Sequence, residues 1–562
     1  MISPLYLESN ANRPVLRVAV LLDQPKVPRW VATILEDLAH CNFARVELAV
    51  VQEVGDGVQG GLAQRLPALT DAIYARVNHA IAGEQDPEAL VDPAVWLLGV
   101  DRVAVPVAGA DGELRLPLDA LAELARRELD VILRFCTAVP RGEVLHAARC
   151  GVWSFHHCVD GSRPGRRPVF REVMTGVTMV DVQLEVLADG PERGLVLCQS
   201  TFAPQGSLFD ALQRQVSTWE TTHFVLWKLH DLHALGWAQV QQQAVPQGPV
   251  VDVAARAPGA VAAGVARLLL PRVTSSVRRL LKPPPPRVHL WHVGLRAPKE
   301  PLYSGSGARD ASDFHWLKAP MGHYWADPFL FERDGKMYLF FEDYEYDREF
   351  AGISYAEVFE DGTLGPASSC LDPGFHLSFP YVFEHEGEIF MMPESLSNGT
   401  ITLYRAKRFP DEWVQEKVLF QGNATDTTLW REDGKFYFFA TLFDRDDRGM
   451  KTILFVADSL TGAWRMHPTN PVSSDVRHAR GAGAIFRRDG HLYRPVQNCG
   501  PHYGYGFTLE EILTIDPDRY EERPHCWVEP SGLAIPALGV HTYNWAGKFE
   551  VIDSYTMGPR PK

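Results

Sequence analysis

The feature that most restricts this chain is a phrase that returns five times after residue 320: a run of aromatic or aliphatic residues, a tight turn with Gly, and a second such run. The copies are ADPFLFERDGKMYLFFE (326–342), FPYVFEHEGEIFMMPE (379–394), TDTTLWREDGKFYFFAT (425–441), AGAIFRRDGHLYRPVQ (482–497) and GVHTYNWAGKFEVIDS (539–554). Strand formers flanking Asp-Gly, Glu-Gly or Ala-Gly spell a two-residue hairpin, in which Gly supplies positive φ. The turn glycines Gly335, Gly387, Gly434, Gly490 and Gly547 recur at intervals of 52, 47, 56 and 57 residues. GISYAEVF, ITLYRAKRF and TILFVADS add strand candidates between the copies. About four strands per ~50 residues is the size of a propeller blade. Five copies therefore predict an all-β five-bladed β-propeller over 288–562.

Read as blades, the first run of each copy lines a central channel. Eight residues before the turn glycine stand Asp327, Phe379, Asp426, Ala482 and Gly539; seven after it stand Glu342, Glu394, Thr441, Gln497 and Ser554. Acids thus concentrate in the first three copies. Converging carboxylates raise each other's pKa, an arrangement suited to proton transfer or to gripping sugar hydroxyls. Arg480 and His478 enter just before the fourth copy and His541 in the fifth; an Arg fork suits a phosphate or carboxylate on a ligand. Tyr324, Trp325, Tyr503 and Tyr505 can stack on sugar rings or pack blade against blade. No fixed metal motif is present in the sequence.

The A-D-P-F-x-F phrase in a five-bladed frame resembles the glycoside hydrolase family 43 superfamily. More closely, residues 288–556 resemble the N-terminal domain of plant glucosamine inositolphosphorylceramide transferases. The first resemblance implies that Asp327 is the general base. Family 43 has an Asp in the second blade and a Glu general acid in the third, where this chain has Phe379 with Pro380 and Asp426 with Thr427. Asp426 or Glu394 is then the candidate acid. Inverting chemistry would place acid and base about 6.5–9.5 Å apart. Asp327 has a structural alternative, capping backbone N–H groups at the blade entry. Together the resemblances imply glycosyl transfer or glycosidic cleavage on a surface glycan or glycolipid, with a nucleotide sugar as candidate ligand. The alternative is a glycan-binding propeller without turnover.

The first 240 residues read differently. RVAVLLD (17–23) and VELAVV (46–51) flank a stretch with helical spacing, and DVILRFC (130–136) follows LDALAELARREL. Strands alternating with helices predict an α/β domain with a mostly parallel sheet covered on both faces. No G-x-G-x-x-G follows the first strand, so a dinucleotide fingerprint is absent. GVWSFHHCVDGSRPGRRPVFREVMTG (151–176) and the stretch after it resemble the formyltransferase family, with its G-x-x-N-x-H strand and D-x-G turn. His156 matches the histidine, Ser154 stands at the Asn and Glu192 at the Asp. With two of three changed, a lost reaction and a retained fold is a competing reading. The live alternative is formyl or acyl transfer to an amino sugar from a formyl-folate carrier.

Between these halves, 241–287 holds QQQAVPQGP and KPPPPR, and proline runs make stiff spacers. Inside it, 257–282 carries Arg267, Arg272, Arg278, Arg279 and Lys282 with no acid. That composition suits either a peripheral membrane contact or two short helices between domains. Two or three domains are expected at 562 residues. A net charge of −15 argues against a nucleic-acid partner. Eight scattered cysteines without a C-x-x-C pair, and no apolar leader, predict a cytoplasmic protein with reduced thiols and no structural zinc.

Overall fold

A computed structural model describes residues 8–52, 86–106, 113–157, 180–189, 194–202, 219, 221–246, 287–443 and 450–561. These fall into two compact units, one up to Pro246 and one from Arg287 onward. The basic segment 257–282, Glu192 and Cys158 lie outside the described residues, as does the stretch 158–179 that follows the Ser154–His156 strand. No described helix is long and apolar enough to cross a membrane, and the seven described cysteines are free thiols.

The N-terminal unit is built on an eight-stranded mixed sheet. Leu16–Leu22 lies between Ala44–Gln52 and Val131–Arg134, with Asp101–Val105 and Val152–His157 beyond them, and these five strands are parallel. The helix Arg29–His40 joins the first two strands and buries Val31, Ile34, Leu35 and Leu38, a spacing that keeps one face on the sheet. Past Val152–His157 the pattern changes to antiparallel pairing through Val180–Val186, Leu195–Phe202 and Val245–Pro246. One apolar core gathers Arg29–His40 and His223–Leu235 on one face of the sheet; a second gathers Leu118–Arg126 and Gly142–His146.

The C-terminal unit is a five-bladed propeller. Its first blade runs outward through His323–Arg333, Lys336–Glu345, Phe350–Val358 and Ser368–Leu371. The second runs through Ser378–His385, Glu388–Glu394, Thr400–Arg408 and Glu412–Gln421. The third runs through Ala424–Glu432, Lys435–Phe443, Met450–Ala457 and Arg465–Met466. In the fourth the inner strand is broken into Arg480–Gly481 and Phe486–Arg488, both paired with His491–Asn498, and Gly307–Ala308 joins its outer edge in parallel.

The fifth copy of the phrase supplies only Tyr543–Ala546 and Phe549–Pro559; its other two strands, Arg287–Arg296 and His315–Trp316, come from before the first blade. Arg287–Arg296 pairs residue for residue with Phe549–Pro559, so hydrogen bonds between the two ends of the unit close the ring. The sequence reading left this strand unassigned because it carries no copy of the phrase.

In the first four copies both turn residues have positive φ, as at Asp334 (51°) and Gly335 (75°), which is the type I′ geometry that matches strand twist. In the fifth, Ala546 pairs with Phe549, so Gly547 (φ 56°) takes the first turn position instead.

Candidate active site

In each of the first three blades the inner hairpin slips register at one point: between Ala326 and Phe329, between Ser378 and Tyr381, and between Thr425 and Thr428. The first residue of each slip has a left-handed backbone: φ is 48° at Asp327, 48° at Phe379 and 47° at Asp426. Such β-bulges re-aim a side chain, and left-handed backbone at a residue with a Cβ is strained. The position eight before the turn glycine is therefore a bulge in three blades. In the other two it is a backbone contact: Ala482 gives its carbonyl to Tyr543 N–H, and a Cβ on Gly539 would lie 2.1 Å from Gly504 O.

Asp327, Glu342, Glu394 and Asp426 are all buried, with 6, 6, 7 and 3% exposure. They share one field: the charge of Asp327 is felt at Glu342 and Asp426, and so is that of Glu394.

Asp327 is tied to the blades on either side. Its Oδ2 accepts the Phe379 N–H at 3.1 Å, its Oδ1 accepts the Thr542 hydroxyl at 2.9 Å, and its own N–H donates to Asp553 Oδ2 at 2.9 Å. The capping role is thus present, leaving each carboxylate oxygen one lone pair. Burial raises the Asp327 pKa, against the pull of His541.

Asp553 Oδ1 also accepts the N–H groups of His541 (3.1 Å) and Thr542 (3.0 Å) and lies 2.8 Å from His541 Nδ1. His541 stacks on Trp291 with centroids 4.1 Å apart. Asp553, Thr542 and Trp291 escaped the sequence reading. Asp553 stands six residues after its turn glycine, where the earlier copies have Phe341, Pro393, Ala440 and Val496, so no repeat of an acid marked it. Ligand atoms of Asp327, His541 and Asp553 lie within 4.8 Å of one another, close enough to grip a cation. The hydrogen bonds already account for the cluster without one.

Asp426 sits in a different environment. Its carboxylate meets the Arg480 guanidinium in an ion pair. Burial nevertheless outweighs the Arg480 charge, with Asp327 and Glu394 adding to it, and raises the Asp426 pKa to about 7. Arg480 is raised further above its usual range because Asp426 more than offsets its burial. Gly481 is required beside this pair: a Cβ there would lie 2.4 Å from Asp426 O. Tyr503, 47% exposed, lies over Arg480 at 4.8 Å and edge-on to His541 at 5.6 Å.

The remaining candidates divide. Glu342 accepts the Tyr324 hydroxyl at 3.2 Å and faces His376 at 3.7 Å; burial, then the charge of Asp327, push its pKa well up. Tyr324 stacks on Tyr344 at 4.6 Å. Glu394 has both oxygens engaged, by the Ser378 hydroxyl and the Leu396 N–H. Trp325 is a core residue rather than a sugar platform, because its ring packs on Phe341 and its Nε1–H reaches Asp343. His478 is given to Glu510, 2.6 Å away, rather than to the channel acids. Tyr505 reaches Glu529 at 3.5 Å.

In the N-terminal unit Ser154 and His156 are both buried. Arg134 Nη1 donates to the Ser154 hydroxyl at 2.9 Å, and its other nitrogens donate to the carbonyls of Thr137 and Ala138. His156 Nδ1 lies 3.6 Å from Glu185 Oε1. Ser154 thus holds an arginine of the neighbouring strand. A cavity of about 750 Å³ opens at the opposite end of this sheet, lined by Asp130, Arg149, Val186 and Trp237.

Over 203 residues, 35% of this chain and 26% of the relative, the sequence is 36% identical to Glucosamine inositolphosphorylceramide transferase 1 of Arabidopsis thaliana. It is also 36% identical to the protein of that name from Oryza sativa subsp. japonica, over 207 residues covering 35% of this chain and 27% of the relative. The chain spans about a quarter of the length of these relatives. Among solved structures, a family 117 glycoside hydrolase of Zobellia galactanivorans aligns with 13% identity and a TM-score of 0.32, over 44% of this chain and 89% of that one. A GH43_1 enzyme from Xanthomonas citri aligns with 11% identity and a TM-score of 0.32, over 43% and 88%. Residues 317–544, the greater part of the propeller with its channel carboxylates, match the family described as glucosamine inositolphosphorylceramide transferase 1, N-terminal.

Proposed function

We propose that the propeller channel forms or cleaves a glycosidic bond on a glycan or glycolipid, with Asp327 as base and Asp426 as acid. The observation that carries this reading is the contrast between the two bulge carboxylates. Asp426, near 7, holds a proton in about half the molecules at neutral pH and has Arg480 beside it to stabilise the anion left after donation. Asp327, whose pKa burial also raises, receives two hydrogen bonds that pull it back towards the ionised form a base needs and has no arginine in direct ion pair among the described residues. Glu394, with both oxygens committed, is the poorer acid. The names of the matched relatives support a glycosyl transferase. A nucleotide sugar is the donor we favour, since Arg480 under Tyr503 offers a cation and an aromatic face.

The test is turnover by the full chain of a panel of nucleotide sugars with a phosphoinositol lipid acceptor, and of aryl glycosides. Asp426→Asn is expected to lose about 100-fold or more in turnover while still binding the ligand. Unchanged turnover in both Asp426→Asn and Asp327→Asn would overturn the reading. Binding without turnover in the unaltered protein would support the second reading, a glycan-binding propeller, which is favoured by the commitment of Asp327 and Glu394 to backbone N–H groups. Formyl or acyl transfer at Ser154 and His156 is the weaker reading, because Arg134 occupies the Ser154 hydroxyl. We further propose that the basic segment 257–282 holds the chain at an anionic lipid surface. Loss of liposome flotation on changing Arg267, Arg272, Arg278 and Arg279 to Glu would support this, and unchanged flotation would sink it.

A further inference from the structure

We propose that the propeller docks on an anionic lipid surface with its channel mouth facing the lipid, and that Met321, Leu396, Trp527 and Leu538 are the side chains that enter it. What docking serves, the presentation of a membrane-held glycolipid headgroup to Asp327 and Asp426, rests on the reading given above. The docking itself rests on how apolar and charged side chains divide between the two ends of the propeller.

Strand register defines those ends. Glu345 pairs with His323 and Glu394 with Ser378, so the second strand of a blade finishes where the first begins, and the hairpin turn lies at the opposite end. Loops that precede a first strand or follow a second strand therefore share one end with Asp327, Glu342, Glu394 and Asp426. Met321 precedes His323–Arg333, Leu396 follows Glu388–Glu394 and Tyr503 follows His491–Asn498. Trp527 is the penultimate residue of Tyr520–Val528, whose Val528 pairs with Phe507 at this end, and the Leu538 N–H donates to Tyr555 O beyond it. Seven large apolar or aromatic side chains stand exposed among the described propeller residues, and these are five of them. Phe359 and Leu513, the other two, lie at the turn end, just past Val358 and Ile512, which pair with Met337 and Leu492.

Charge divides the other way. The turns at the far end expose Asp334, Glu386, Asp433 and Asp489, an acid on each of the first four hairpins, which anionic headgroups repel. At the mouth, 395–399, 499–505 and 530–538 contain no acid. Asp347, Asp372 and Asp475, acids of the mouth loops, are ion-paired with Arg560, Arg348 and Arg477. Arg287, exposed, begins the closing strand opposite Pro559 at the mouth, five residues after Lys282 of the basic segment. The mouth thus combines apolar tips with a basic approach, and stable attachment to a bilayer takes two such signals. The tips sit singly on loops of different blades, with an aromatic among them. A fluid interface accepts that arrangement, and aromatic rings favour the headgroup level.

The test uses the full chain and needs no substrate. With vesicles of phosphatidylcholine and phosphatidylserine, the unaltered protein is expected to float, and Met321→Asp/Leu538→Asp to bind about tenfold or more weakly. Phe359→Asp/Leu513→Asp, the same change at the far end, is expected to float like the unaltered protein. Equal flotation of the two pairs overturns the proposal. Hydrogen exchange on the unaltered protein keeps the test independent of variants: vesicles are expected to slow exchange in 395–399 and 530–538 and leave the hairpin turns unchanged, and the reverse pattern overturns it. Flotation that depends on the arginines of 257–282 and is untouched by Met321→Asp/Leu538→Asp would assign the contact to that segment alone and overturn it too. So would sedimentation of the unaltered chain as a dimer that Met321→Asp/Leu538→Asp dissociates, which gives the face to a second copy. Flotation by a protein that turns over no sugar would sink the catalytic reading and leave the docking standing, so the two failures are distinguishable.

Discussion

Asp426 shows what burying a carboxylate does to the whole protein's response to pH. Its folded pKa of about 7 stands above the ordinary aspartate value of about 4, so the folded state binds this proton more tightly than the unfolded chain. Its contribution to stability is therefore complete below about pH 4 and declines as pH rises through 7. The change is of the order of 4 kcal/mol. In Asp426→Asn, denaturant titrations between pH 4 and 8 should show a flatter dependence than the unaltered protein, although the variant starts lower because Arg480 loses its partner. Gly481→Ala tests the same neighbourhood sterically: with Asp426 O only 2.4 Å from the added Cβ, it should cost about 1–3 kcal/mol and lower turnover together. Asp327, Asp426 and Arg480 were legible as candidates because the repeat marked their positions. Asp553 was not, since its importance comes from donors on three different residues, a property of packing.

At the scale of the hairpin, the turn glycines and the bulges carry opposite lessons. Nothing lies within 4 Å of a Cβ at Gly335 or Gly434, so alanine there should cost only the backbone strain of positive φ, about 1–2 kcal/mol, measured by thermal melting. A larger loss would mean the turn does more than reverse the chain. The need for Gly is local and could be read from Asp-Gly between strand formers. The bulges could not be read this way, because φ of 47–48° at Asp327, Phe379 and Asp426 contradicts the intrinsic preference of each residue. Neighbouring blades over-determine it: Asp553 holds the N–H of Asp327, and Asp327 holds the N–H of Phe379. Trp325 illustrates the reverse error, since an aromatic beside an acid reads as a sugar platform until the core claims it.

For the whole molecule, the decisive element is the strand that closes the propeller. Arg287–Arg296 pairs with Phe549–Pro559, and Arg296 is locked to the fully buried Glu550, which also accepts the Leu302 N–H and the Tyr543 hydroxyl. Glu550→Gln leaves Arg296 only the exposed Asp313 as a charge partner and should lower stability by about 1.5–3 kcal/mol in denaturant titration. A fragment spanning 287–562 should fold with a cooperative thermal transition, whereas one beginning at residue 297 should fail to give one, because the ring would be left open. Equal melting of the two fragments would remove the closing strand from the account.

The sequence by itself determined the count of blades and the positions of the hairpin turns, because both follow from local periodicity and from the one residue that tolerates positive φ. It also placed four acids of the channel, Asp327, Glu342, Glu394 and Asp426, since repetition exposes what is unusual in one copy. Only the tertiary structure decided which strand shuts the ring, which aromatic belongs to the core and which carboxylate holds the N–H of Asp327. Those outcomes depend on groups more than 200 residues apart in the chain meeting at hydrogen-bond distance, as Asp327 meets Thr542, and a meeting of that kind leaves no local pattern behind.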